Sequence, residues 1–184
     1  MGEGGSWEDA GVSTWEIGED EWPDPATTGE VLIVDDDASI RTMLGFVFDD
    51  AGYRVIEAPD GREALDVLRT EPPALMILDL MMPGIDGVAV LRARRDEALA
   101  ADTRILVLTA KTATEDAVWC WELGADEYVT KPVDPDRLLR NGLALLARTP
   151  EELREHRKQG LAEARRMDEM EAAFRSPPPK KGRR

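Results

Sequence analysis

The chain's 184 residues allow one core of ordinary size plus flanking segments, and 42% hydrophobic content lies in the globular range. No apolar run approaches the roughly 18 residues that a membrane span requires, and one cysteine with one histidine excludes both a disulfide framework and a tetrahedral structural zinc. A net charge of −15 opposes the phosphates of nucleic acid, so the expectation is a soluble protein of the reducing cytoplasm, with no membrane and no nucleic-acid partner.

Residues 1–30 hold nine acids and no base. Their start, MGEGGSWEDAG, has neither the basic nor the apolar region of a signal peptide. Residues 1–29 are expected to form an acidic disordered tail in which Trp7, Trp15 and Trp22 are candidate partner-binding anchors.

Regular patterning starts at residue 30. The runs VLIV (31–34), RVIEA (54–58), ALMILD (74–79), RILVLT (104–109) and EYVT (127–130) read as strands. Between the first two, Ile40, Leu44, Val47 and Ala51 recur at helical spacing, with Gly52 as a stop and Asp37 as a candidate N-cap. Ala64, Leu65 and Leu68 mark a second helix ending before Pro72-Pro73. Further helices are predicted over 86–100, 114–123 and 135–148. Alternation of apolar strands with helices predicts a doubly wound α/β fold, a five-stranded parallel sheet covered on both faces.

After the core, Thr149, Pro150 and Glu152 form a helix start with a capping box, predicting a helical extension over 149–175. Its apolar residues, Leu153, Leu161, Met167, Met170 and Phe174, are too irregular for a coiled coil, and it is too short for an output domain. His156 is expected to be an exposed helix residue. The end, PPPKKGRR, makes 176–184 a short basic disordered tail.

Ligands of open α/β sheets bind beyond the carboxyl ends of the strands, where the winding reverses. Asp35 and Asp36 follow strand one, Asp79 and Thr109 end strands three and four, and Lys131 follows strand five. All five therefore converge on one rim. Clustered carboxylates need raised pKa values or a cation, and an all-oxygen donor set suits Mg²⁺. A lysine, a hydroxyl and a divalent ion can hold a phosphoryl group, and a carboxylate can be its nucleophile.

The motifs VLIVDDD, LDLMMPGIDG, VLTA and GADEYVTKP, in this order, resemble the receiver domain of two-component response regulators over residues 30–148. The resemblance implies a flavodoxin-like receiver fold with strand order 2-1-3-4-5 and a cis Lys131-Pro132 bond. It implies phosphorylation of Asp79, with Mg²⁺ held by Asp36, Asp79 and the backbone carbonyl of Met81, and Asp35 in the outer shell. Thr109 and Tyr128 would be the switch pair and Lys131 the charge-neutralising group. The implied partners are a histidine kinase or phosphotransfer protein, a downstream effector and a homodimer, reached through the face of the fourth helix, fifth strand and fifth helix. The expected role is a signalling module, not an enzyme, with a phosphorelay intermediate as the alternative.

Trp119 and Trp121 lie two apart on the fourth helix, so they point away from each other. Trp121 is expected to pack and Trp119 to cover surface, and both are interface candidates. Two other functions fit less well. A phosphatase with an aspartate nucleophile would want a second Asp where Met81 stands, and a flavodoxin-like nucleotide binder would not aim Asp35, Asp36 and Asp37 at a phosphate.

Overall fold

The computed structural model describes residues 29–110 and 114–175. Five strands, β1 (Glu30–Val34), β2 (Arg54–Ala58), β3 (Leu75–Asp79), β4 (Arg104–Thr109) and β5 (Glu127–Thr130), form one parallel sheet of order β2-β1-β3-β4-β5. Their alternating side chains feed two separate cores. Val31, Ile33, Leu75, Ile77, Leu106 and Leu108 pack with Leu44 and Phe48 of α1 (Ala38–Asp50) and with Leu138, Leu143 and Leu145 of α5 (Pro135–Ala147). Leu32, Val34, Met76, Leu78, Ile105 and Val107 pack on the other face with α2 (Gly61–Thr70), α3 (Gly87–Asp96) and α4 (Thr114–Glu122). Both faces are covered, which is why β1 and β3 read as apolar runs.

The helix boundaries follow from local chemistry. Asp37 caps α1 by accepting the Ser39 N–H at 2.8 Å, and Asp60, Asp86 and Asp134 cap α2, α3 and α5 in the same way. Gly52, at φ 88°, takes the chain out of α1. The expectation of helix to residue 100 in α3 does not hold: α3 ends at Asp96, and the chain turns through Ala98 and Ala100 at φ 52° and 46°. Arg94 fixes this turn, its Nη2 donating to the carbonyls of Ala100 at 2.9 Å and of Ala101 and Thr103 at 3.3 Å. The last carbonyls of α3 are closed by the turn itself, the Leu99 N–H donating to the Arg94 carbonyl at 2.9 Å and the Ala98 N–H to that of Arg95 at 3.2 Å, so the helix stops at Asp96 with those groups satisfied.

A sixth helix, α6 (Pro150–Arg175), leaves the end of α5 and packs against α4. Leu153 joins the α1/α5 core, and Ala164 is also buried. Met167, Met170 and Phe174 on its distal half are exposed. Trp7, Trp15, Trp22 and the basic segment 176–184 lie outside the described residues. Among the described residues no helix is long and apolar enough to cross a membrane.

The start of α6 is a reciprocal capping box: the Thr149 N–H and hydroxyl donate to Glu152 at 2.8 and 2.9 Å, and the Glu152 N–H returns a bond to the hydroxyl at 3.3 Å. The bonds from Thr149, its N–H first, lower the Glu152 pKa below its ordinary 4.5. A lowered folded value means the contribution is complete above 4.5 and is lost below it, as pH falls through the lowered folded value. Protection of the first-turn amides of α6, taken relative to their intrinsic exchange rates at each pH, should therefore fall in that acid window, and Glu152→Gln should flatten the response. Thr149→Ala should cost α6 about 1 kcal/mol, read from the same amides.

Candidate functional site

The strand order reverses between β1 and β3, and the acidic side chains gather at that point. Three consecutive acids after β1 have three separate fates. Asp35 is fully buried and turned inward, its Oδ1 accepting the Asp37 N–H at 2.9 Å. Asp36 is exposed at the rim, and Asp37 is the cap of α1. Asp79, the last residue of the wholly buried β3, is 3% exposed and accepts the Met81 N–H on Oδ1 at 2.9 Å. Carboxylate oxygens of Asp35, Asp36 and Asp79 all lie within 4.8 Å of one another.

Lys131 enters from beyond β5. Its N–H donates to the Thr109 carbonyl at 2.7 Å, extending the β4–β5 pairing by one residue, and the Lys131-Pro132 bond is cis. From there Nζ reaches Asp35 Oδ2 and Asp79 Oδ2, each at 2.7 Å. Burial acts to lower the lysine's pKa, but the two hydrogen-bonded carboxylates outweigh it and hold the ammonium above its ordinary value. For Asp35 burial is the largest influence and raises its pKa, against the opposing bonds from Lys131 and the Asp37 N–H. The two directions agree physically. One ammonium has two anionic partners, whereas each carboxylate has a share of one cation.

Thr109 is fully buried at the end of β4, opposite Thr130 in the register. Tyr128 is half-buried, opposite Val107, and packs on the core facing α2, α3 and α4. Met81 is half exposed beside Asp79, and Met82 is buried. The structure thus brings Asp35, Asp36, Asp79 and Lys131 into one cluster, with Thr109 joined to Lys131 through the backbone.

Chain 31–141 matches the model of the response regulator receiver domain. The chain belongs to the response regulator receiver family. Over 120 residues it is 43% identical to the alkaline phosphatase synthesis transcriptional regulatory protein PhoP of Bacillus subtilis, covering 65% of this chain and 49% of that one. It is 39% identical over 119 residues to the phosphate regulon transcriptional regulatory protein PhoB of Pseudomonas aeruginosa, covering 65% and 52%. The chain spans about half the length of the curated relatives it matches. Among solved structures, the chemotaxis protein CheY4 of Vibrio cholerae superposes with a TM-score of 0.60 at 36% identity, covering 64% of this chain and 98% of that one. The BeF₃-activated DrrB receiver domain gives 0.59 at 28%, covering 66% and 99%. The receiver's sheet order is the one the sequence resemblance implied.

Trp119 is 53% exposed with the Arg92 guanidinium 5.4 Å above its ring, while Trp121 packs against α6, the division expected of the two. His156 is a correction. Far from being exposed, it is half-buried, edge-on to Trp121 at 5.8 Å, with Nε2 3.2 Å from Glu127 Oε2. Sequence reasoning also passed over Arg41, which donates to the Asp35 carbonyl at 2.7 Å, and the buried Asp126, which is ion-paired to Arg157 of α6. Asp126 carried one usable signal, an acid just ahead of the fifth strand within the stretch GADEYVTKP that resembles the receiver motif.

Removing one partner of a buried pair leaves the other charge uncompensated. Lys131→Ala should therefore destabilise the fold by roughly 3–5 kcal/mol at neutral pH, measured by urea unfolding without divalent ions. A raised Asp35 pKa means the buried anion is relieved as pH falls through its folded value, so the deficit of the variant should shrink on acidification.

Proposed function

We propose that the receiver accepts a phosphoryl group on Asp79 in a Mg²⁺-dependent step and signals through protein contact. The observation that supports this most directly is the position of Asp79: its Oδ2 meets Lys131 at 2.7 Å while one of its oxygens lies within 4.8 Å of an oxygen from each of Asp35 and Asp36. That DrrB, a relative of the same fold, has been solved in a BeF₃-activated state adds to it.

The donor set fits a hard divalent cation, because it is made of carboxylate oxygens at the rim of the sheet. Asp36 and Asp79, with the backbone carbonyl of Met81, would hold the ion, and Asp35 would stand in its outer shell. When bound, Mg²⁺ supplies charge neutralisation to the equatorial phosphoryl oxygens. The chain's own groups do the rest. An Asp79 carboxylate oxygen attacks phosphorus in line, forming the acyl phosphate P–O bond as the donor's bond to phosphorus breaks and its electron pair leaves with the donor. The Lys131 ammonium, already aimed at Asp79 Oδ2, shifts onto a phosphoryl oxygen. Thr109 offers its hydroxyl to another, and Tyr128 follows into the space given up, a shift between two populated arrangements. The phosphoryl donor is a histidine kinase or phosphotransfer protein, and the reader is an effector protein or a second copy, met on the side of α4, β5 and α5. Work in the cytoplasm follows from that pairing with a kinase.

Incubation with acetyl phosphate and Mg²⁺ should add the mass of one phosphoryl group to the intact protein. Chelation of the metal or Asp79→Asn should abolish the addition, and Asp36→Ala should slow it by at least about tenfold, the order of loss seen when a metal's support is removed. Undiminished labelling of Asp79→Asn would overturn the assignment.

A further inference from the structure

The surface expected to meet partners already has a helix on it. After Leu153 fills the α1/α5 core, α6 crosses the start of β5 and packs on α4. The receiver side supplies one indole and three carboxylates. Trp121 lies flat against α6 at Gly160, where a β-carbon would stand 2.7 Å from the indole Cε2. Arg157 pairs with Asp126, which is fully buried, and His156 Nε2 meets Glu127 Oε2 at 3.2 Å. Arg165 pairs with Glu122 at 2.7 Å. The helix side therefore answers with two guanidiniums, an imidazole and a glycine placed at the ring.

This docked helix is wired to β5. The two oxygens of the Glu127 carboxylate are divided: Oε2 faces His156 of α6, and Oε1 accepts the N–H of Tyr128 at 3.2 Å. Asp126 is likewise divided, with Oδ2 accepting the Ile105 N–H of β4 at 2.8 Å and Oδ1 facing Arg157. Movement of Tyr128 and the β4–β5 pair thus acts on the two acids that hold α6.

We propose that the α4–β5 surface is a helix-docking site with α6 as its resident occupant, and that loading the Asp79 site loosens α6 so that a partner helix of the same pattern takes its place. The pattern is read from α6 itself: an arginine for Asp126, a small residue three positions later for Trp121, and a second arginine for Glu122. An amphipathic helix that turns arginines toward the site meets this chemistry, as α6 does although residues 149–175 carry seven acids and six bases, and one that turns acids toward it is repelled by the three carboxylates. The proposal rests on Asp79 being the phosphoryl acceptor. Because coupling is reciprocal, weakening α6 also favours the loaded site.

The test uses the full chain with Mg²⁺ and beryllofluoride, following α6 amides by hydrogen exchange, bound beryllofluoride by ¹⁹F resonance, and binding of a labelled peptide of residues 149–175 added in trans. Loading should accelerate α6 exchange and tighten peptide binding by about 5- to 150-fold, the usual span of coupled sites. Gly160→Val, which drives a side chain into the Trp121 ring, should accelerate α6 exchange without beryllofluoride and tighten beryllofluoride binding. Arg165→Ala, which removes only the exposed bridge to Glu122, should do the same to a smaller extent and covers the case in which Gly160→Val does not fold. A bound ¹⁹F signal with unchanged α6 exchange would overturn the coupling and leave the Asp79 reading standing. No bound ¹⁹F signal would remove both.

Discussion

One ammonium shared by two buried carboxylates is the constraint around which the rim is arranged. Lys131 can reach Asp35 and Asp79 only because β1, β3, β4 and β5 end at the same level, and the Thr109 carbonyl fixes where its backbone starts. The arrangement leaves a surplus of negative charge, since one cation faces Asp35, Asp79 and the neighbouring Asp36. Burial raises the Asp35 pKa for the same reason that a second cation would be welcome there. The polar ring is held rigid by apolar strands beneath it, so the surplus cannot be relieved by moving the acids apart.

Much of this was legible in the sequence because parallel strands advertise themselves. Buried on both faces, β1, β3 and β4 are unbroken apolar runs, and the residue at which each run stops is the residue that faces the rim. Asp79 is the plainest case, an acid directly after four buried apolar positions. The interactions that were not legible involve charges whose partners are remote in the chain. Arg94 looks like one more surface arginine in a helix that also holds Arg92 and Arg95, and only the fold shows it turned under the 97–103 segment. His156 reads as an exposed helix residue, and Gly160 carries no reading of its own in the sequence. Their meaning depends on Trp121, which lies more than thirty residues earlier.

The edge of the sheet shows how the extension and the receiver depend on each other. All four residues of β5 are half-buried, and a strand with one open side is a place where another chain can pair. Here α6 shields its beginning, and Arg157 gives the buried Asp126 a counter-charge. Loss of that helix would leave an acid in the core with a backbone N–H from Ile105 as its remaining described donor. The helix lies outside residues 31–141, which match the family, so this arrangement is an addition to the shared fold. In the proposed chemistry the rim and the edge communicate through β5, whose ends carry Lys131 and the two acids that grip α6.

The account turns on the acidic rim having a real appetite for a hard divalent cation. Calorimetric titration of Mg²⁺ into the full chain, beside Asp36→Asn, tests it most directly. A single saturable binding event in the native protein that is lost in the variant is the predicted result. Identical heats in the two proteins, or none in either, would contradict it.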